Sequence, residues 1–101
     1  MVKKYVVKLY AGAYRDIDAI YEYIAKALME PKVAIDLVRT LENAILSLEE
    51  LPERGAFRRV GRFANKKYRQ LFIENYTIIY RVYKTISEVH IVTVRYAPRQ
   101  F

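Results

Sequence analysis

Arginine dominates the second half of this sequence. Residues 53–101 carry eight Arg and three Lys, opposed only by Glu53, Glu74 and Glu88, for a net charge of +8. Residues 1–52 hold seven basic and eight acidic side chains, a net of −1. The whole excess of +7 over 101 residues therefore sits in one half. Arg presents a planar fork of donors that grips phosphate bidentately and stays charged when partly buried. A one-sided Arg-rich segment points to a polyanion-binding surface, against the plainer alternative of a merely solvated basic patch.

Other residue types with chemical potential are sparse. There is no Cys, which removes disulfides, thiolate zinc sites and Cys nucleophiles together and suits a reducing compartment. A single His, His90, lies between Val89 and Ile91 and fits a packed or edge position better than a catalytic one. With one His and no Cys, neither a metal nor another cofactor is expected. Asp16, Asp18 and Glu22 resemble paired carboxylates, but solvation and the dipole of an early helical turn explain them more simply. Gly12, Gly55 and Gly61 are too far apart for a phosphate-binding glycine loop. The ten tyrosines have faces on which bases could stack, yet most fall at strand positions and go first to packing.

These side chains must be held by one domain, since 101 residues leave no room for a second core. With 53% hydrophobic and 29% charged residues the chain folds rather than forming a disordered basic tail. No apolar run nears the roughly 18–20 residues that span a bilayer. Lys8 interrupts the apolar start MVKKYVVKLY, a poor signal peptide, so the expected place is the cytoplasm, without membrane contact.

Residues 2–10, rich in Val and Tyr, predict a strand that Gly12 breaks. From Ala13 the period changes: Ile17, Ile20, Tyr21, Ile24 and Leu28 form a helical stripe. Pro31 marks a boundary, and Ala34, Leu37, Val38, Leu41, Ile45 and Leu48 form a second stripe, ended by Pro52 and Gly55. Two long amphipathic helices with a short link imply an antiparallel hairpin. Residues 54–67 are basic and aperiodic, and predict a loop or irregular turn. YRQLFI (68–73), YTIIYRVY (76–83) and VHIVTVRY (89–96) are strand signals whose short links require antiparallel pairing. The expected fold is α+β: an N-terminal strand, a helical hairpin, and a three-stranded meander, in one sheet with the helices on one face.

Strict alternation puts Thr77, Ile79, Arg81 and Tyr83 on one face and Tyr76, Ile78, Tyr80 and Val82 on the other. On the last strand it groups Val89, Ile91, Thr93 and Arg95. Both faces keep apolar residues, so parity alone leaves open which one meets the helices. Arg69, Arg81 and Arg95 are each embedded in a strand, where their donors need partners. Glu74, Glu88 or backbone carbonyls would serve. So would phosphate in a cationic concavity.

The stretches AILSLEELPERG (44–55), YRQLFIENYTIIYRV (68–82) and VHIVTVRYAPRQF (89–101), in this order and spacing, resemble the RelE/ParE superfamily, the toxins of type II toxin–antitoxin modules. The resemblance spans almost the whole chain and implies that family's fold. RelE-like members cut mRNA in the ribosomal A site, whereas ParE-like members inhibit DNA gyrase and are not nucleases. Cleavage by in-line attack of a ribose 2′-hydroxyl needs an orienting base, cations for the developing charge, and a proton for the leaving oxygen. By position Arg69 and Arg99 match basic residues of the family; on the nuclease reading Arg81 and Arg95 join them near the scissile bond, and Tyr96 either supplies a hydroxyl or packs on the sheet as a strand-end aromatic. Thr77 stands where RelE-like nucleases usually have Arg, and the chain reaches Phe101 where they can carry Tyr. In this reading Arg58, Arg59, Arg62, Lys66 and Lys67 grip RNA phosphates. Thr77 and the segment IENYTIIYRV lean toward ParE-like gyrase inhibition, but the Arg cluster suits RNA phosphates and puts ribosome-dependent mRNA cleavage slightly ahead, with a non-toxic nucleic-acid-binding domain as a third option. Either toxin reading implies a cognate antitoxin whose acidic, partly disordered segment folds onto the basic surface.

Overall fold

The computed structural model describes residues 4–59, 61–64 and 67–98. Val2 and Lys3 of the expected first strand, and the expected site residues Lys66 and Arg99, lie outside the described residues. The strands are β1 (Val6–Leu9), β2 (Ala56–Phe57), β3 (Tyr68–Ile73), β4 (Tyr76–Tyr83) and β5 (Glu88–Tyr96). The helices α1 (Ala11–Glu22) and α2 (Pro31–Leu46) lie between β1 and β2. The fold is α+β, with one five-stranded mixed sheet in the order β1-β5-β4-β3-β2. The helical crossover lets β1 run parallel to β5, Val7 facing Val89 and Leu9 facing Ile91. The other pairings are antiparallel.

Several expectations need correction. Gly12 does not end a strand; it lies in the first turn of α1, which starts at Ala11 and has no acid in that turn. The segment 54–67 contributes the short edge strand β2. The stripe of α1 does not reach Leu28. Residues Tyr23–Ala27 widen into a π-helical turn that rotates Leu28 out of register, and its side chain is exposed. Met29, at φ 55°, then stops the helix, with the Glu30 N–H bonded back to the Ile24 carbonyl. Pro31 opens α2 at the position where a missing N–H costs nothing.

Parity on β5 also breaks. Ile79 faces Thr93 while Tyr80 faces Ile91, so Val92 is an extra residue, a β-bulge. Val89 and Ile91 face the helices, but past the bulge that side passes to Val94 rather than Thr93. Leu71, Ile78, Tyr80, Val89, Ile91 and Val94 thus make one surface, packed against Ala13, Ile17, Ile24, Leu37, Leu41 and Ile45 of the helical layer. β1 stops at Leu9, leaving the outer edge of β5 open beyond Ile91. Asp16 of α1 closes it: its carboxylate accepts from the Val94 N–H (3.1 Å) and the Thr93 hydroxyl. The acid is an edge clasp rather than a dipole partner.

Candidate functional site

The sheet has a helix-covered face and an open face, and cross-strand partners share a face. Arg69 pairs with Tyr80 and with Phe57, on the helix side. Its Nη1 donates to the Gly55 carbonyl (2.7 Å) and the Glu53 carbonyl (3.4 Å), and Nη2 lies 3.6 Å from the Glu53 carboxylate. The guanidinium also stacks 4.0 Å from the Phe57 ring centre. Its side chain is only 13% exposed. Beside it the fully buried Tyr80 hydroxyl accepts from the Gly55 N–H at 2.9 Å. Burial pushes that phenol's pKa up. Gly55 has no room for a side chain, because a Cβ there would lie 2.5 Å from the Gln70 carbonyl oxygen and 2.7 Å from the Tyr80 hydroxyl. Arg69 therefore fastens the 53–57 segment to the sheet.

Arg81 and Arg95 lie on the open face, opposite His90 and Thr77 respectively. Arg81 sits 4.9 Å from the Tyr83 ring centre and 5.7 Å from that of Tyr68. Arg95 sits 5.3 Å from Phe63, whose ring meets Tyr68 edge-on at 5.0 Å. Among the described residues neither arginine has a hydrogen bond or an ion pair. Arg69 and Arg81 do border one groove of about 460 Å³, with Phe57, Lys67 and Lys84, at the end of the sheet where β3 begins. They reach it from opposite faces. Tyr96 falls on the helix side, against Tyr76 at 5.5 Å, and lines a separate apolar groove of about 610 Å³ with Ile20, Tyr23, Ile24 and Leu28.

Of the residues expected to grip phosphate, four are described, and Arg58, Arg59 and Lys67 border one groove. Arg58 packs onto the open face, its Nη1 donating to Gln70 Oε1 at 2.8 Å, while its buried Nε has no hydrogen-bond partner among the described residues. Arg62 lies 5.9 Å from the Phe63 ring. Arg59 and Lys67 flank a shallow groove of about 310 Å³ with Phe57 and Tyr68. Thr77, at the position that departs from RelE-like nucleases, is 2% exposed, and among the described residues its hydroxyl has no hydrogen-bond partner.

One constellation was not anticipated. His90 Nε2 is 2.8 Å from the Glu88 carboxylate, and its Nδ1 is 3.0 Å from the Tyr10 hydroxyl. With Nε2–H donating to the carboxylate, Nδ1 accepts from the phenol. Lys8 pairs with the other Glu88 oxygen at 3.0 Å. His90 and Lys8 hold the Glu88 carboxyl below its ordinary pKa. Burial, with the Tyr83 and Tyr68 hydroxyls, pushes the Tyr10 phenol up. The Tyr83 ring lies 4.5 Å from His90, which joins this network to Arg81. The Glu-Val-His spacing, which puts both side chains on one face of a strand, was the readable signal. Tyr10 arrives through the parallel register of β1, which no local pattern encodes. Among the described residues no group of three or more His, Asp or Glu could hold a metal ion, and no helix is long and apolar enough to cross a membrane.

A helical hairpin against one face of a mixed sheet is an α+β fold of the RelE/ParE kind. The family model described as the ParE toxin of the type II toxin–antitoxin system parDE matches residues 7–101, and the chain belongs to that family. Among solved structures, the chain is similar to one from the chromosomal ParDE toxin–antitoxin system of P. aeruginosa. That likeness has 22% identity and a TM-score of 0.76, covering 94% of this chain and 98% of the other. It is also similar to a chain of the toxin–antitoxin complex RelBE2 from Mycobacterium tuberculosis, at 21% identity and a TM-score of 0.64, covering 95% and 93%. At these identities the likeness bears on the fold. A search of the curated proteins gave no match.

Proposed function

We propose that this ParE-family toxin arrests growth by binding and inhibiting DNA gyrase, with no chemical step of its own. One observation carries the reading: among the described side chains that in-line cleavage would need together, Arg69 and Tyr96 lie on the helix side and Arg81 and Arg95 on the open face, and although Arg69 and Arg81 border one groove, Arg69 has already spent donors on backbone carbonyls. Arg69 is committed to the Gly55 and Glu53 carbonyls on the helix side, and Tyr96 packs on Tyr76 there, while Arg81 and Arg95 stand on the open face. Stabilising a phosphorane takes several donors aimed at one point, and loss of one such donor typically costs ~10²–10³ in rate. A divided set does not meet that demand. Arg81 and Arg95 instead offer charged donors on a ring-studded surface suited to a protein partner. Membership of the ParE family points the same way.

Ribosome-dependent mRNA cleavage is the second reading. It is favoured by the Tyr10–His90–Glu88 chain, a hydroxyl, a base and an orienting carboxylate beside Arg81. Induction of the chain alone, with plasmid supercoiling and transcript ends scored in the same culture, separates the two. Lost supercoiling or accumulated double-strand breaks with intact transcripts is the expected result. Cut transcripts with normal supercoiling would replace the first reading with the second.

In either case the partner in the resting cell is an antitoxin with an acidic segment that folds onto the basic face in the cytoplasm. Co-purification with the product of the neighbouring gene tests this, and a chain recovered free from co-expression would refute it.

A further inference from the structure

The face of the sheet away from the helices is not bare at its centre. Alternation along β4 aims Thr77, Ile79 and Arg81 there, yet Ile79 is fully buried and Thr77 nearly so, and the helix-side cluster contains neither. Something must cover them. Phe63, in the turn formed by Gly61–Ala64, is in the right place. Its ring meets Tyr68, which stands opposite Arg81, and lies 5.3 Å from Arg95, which stands opposite Thr77. A ring that touches one residue on β3 and one on β5, to either side of Ile79 along β4, must cross β4 over Ile79. Few contacts hold it. Among the described residues the turn's backbone hydrogen bond is its own, from the Ala64 N–H to the Gly61 carbonyl (3.2 Å). The ring is held by Tyr68 edge-on and by the guanidinium groups of Arg62 and Arg95. The two buried polar side-chain atoms that lack a hydrogen-bond partner among the described residues both border this patch. One is the Thr77 hydroxyl, and the other is Nε of Arg58, whose Nη1 reaches Gln70 opposite Ile79. Leaving such atoms unpaired is costly, so the covered state carries a penalty that uncovering would relieve.

We propose that Phe63 is a displaceable cap over an anchor pocket, and that the pocket takes an aromatic side chain from an acidic segment of a protein partner. The proposal deepens the antitoxin reading and rests on it only for the source of that segment. Phe63 itself shows that a ring fits between Tyr68 and Arg95 above the apolar floor of Ile79. It is an internal stand-in for the partner's ring. The cations beside it set the rest of the chemistry. Arg62 and Arg95 flank the ring, so an incoming ring with carboxylates next to it finds both its needs met. With Phe63 turned out, the Thr77 hydroxyl and Arg58 Nε gain an acceptor from the partner or from water. The closed state keeps Ile79 dry and the open state satisfies the polar atoms, which sets the two against each other. A segment must then supply both a ring and acids to hold the pocket open, and its apparent affinity falls with the fraction of closed molecules. The cap thereby adds selectivity to a surface whose charge alone would attract any polyanion.

The test titrates the full chain with the blocked peptide EEDFDEE and its counterpart EEDADEE, after fluorinating the phenylalanine rings for fluorine NMR. The spectrum of Phe63→Leu assigns the Phe63 resonance. That resonance should shift with the phenylalanine peptide and stay in place with the alanine one. In Phe63→Ala no cap has to be displaced, so the phenylalanine peptide should bind about tenfold more tightly than it binds the wild type. It should also bind that variant about tenfold more tightly than the alanine peptide does. Thr77→Val keeps the side chain's shape and removes the unpaired hydroxyl, which favours the closed state. Its urea midpoint should hold or rise, while the phenylalanine peptide binds it about threefold less tightly than the wild type. Urea midpoints verify that each variant is folded, and if Phe63→Ala is not, the fluorine shift and Thr77→Val decide alone. Equal binding of the two peptides, or equal binding of the phenylalanine peptide to the wild type and to folded Phe63→Ala, would overturn the proposal and leave Phe63 a fixed part of the surface. The titration uses neither gyrase nor the neighbouring gene's product, so its failure would leave both of those readings standing.

Discussion

Arg69 and Arg81 border one groove at the end of the sheet, yet they teach opposite lessons. Arg69 faces the helical layer and spends its donors on the Gly55 and Glu53 carbonyls, so its charge is a fastening. Arg81 faces outward and is held by the faces of Tyr68 and Tyr83, which orient a guanidinium without satisfying its N–H groups. The first arrangement closes a loop; the second presents donors. Being an arginine in a strand says nothing about which of these it will be, since the outcome depends on the face and on what the neighbouring loop supplies. Among the described residues, the +8 half of the chain is therefore divided between a structural part and an available one.

The contrast predicts a graded series of effects. The largest belongs to the helix side, where Leu41 is fully buried between the layers. Leu41→Ala should destabilise the chain by roughly 2–5 kcal/mol, through lost transfer free energy and the cavity left behind. The midpoint of urea unfolding measures this, and a shift below a quarter of that size would mean the helical layer is not the core. Next comes the direct comparison. Arg69→Ala strands the Gly55 carbonyl and is expected to cost about 1–3 kcal/mol of stability. Arg81→Ala should stay within about 0.5 kcal/mol in stability while reducing growth arrest on induction. Equal stability losses at the two sites would erase the distinction between faces.

Asp16 offers a smaller effect at the seam between the faces. Its carboxylate satisfies the Val94 N–H where β1 no longer covers β5. Asp16→Ala should cost about 1 kcal/mol, the net worth of a part-buried charged hydrogen bond less what water recovers at an edge. Amide hydrogen exchange at Val94 reads it, with faster exchange expected at that amide and no change at Ile78.

Much of the scaffold was legible. The two stripes beginning at Ile17 and Ala34 gave the helices, and the three Val- and Tyr-rich runs gave the meander, because burial imposes a period that local sequence must obey. Three things were not legible, for separate physical reasons. The π-turn at Tyr23–Ala27 changes the helical period without any Gly or Pro to announce it. The bulge at Val92 inverts parity on β5 and so moved Thr93 and Val94 to the faces opposite to those expected. β2 is only two residues long and owes its pairing to β3 rather than to its own composition. The site depended on the bulge and on the register of β1 against β5. Once parity slips, an arginine read from spacing can land on either face, and the Tyr10–His90 contact requires a register between strands eighty residues apart.

The smallest expected effect compares the acids of the two faces. Glu53 is held below its ordinary pKa of 4.5 first by its hydrogen bond with Lys84, then by that charge and by Arg69. Glu88 is held below the same value first by His90 and then by Lys8. A carboxyl depressed in the folded state adds stability above its unfolded pKa and loses it as pH falls through the folded one. Both contributions should therefore fade only below about pH 4.5, and Glu53→Gln or Glu88→Gln should each flatten that acid limb of the unfolding midpoint. Salt tells them apart. The Lys84–Glu53 pair leaves 67% and 50% of its side chains exposed, so counterions screen it readily. Glu88 and His90, at 20% and 18%, are more sheltered. Raising the ionic strength from 0.05 to roughly 0.5 M should remove most of the Glu53→Gln effect and leave most of the Glu88→Gln effect. If salt abolishes both alike, the Tyr10–His90–Glu88 chain is an ordinary surface contact and the open face loses its pre-ordered end.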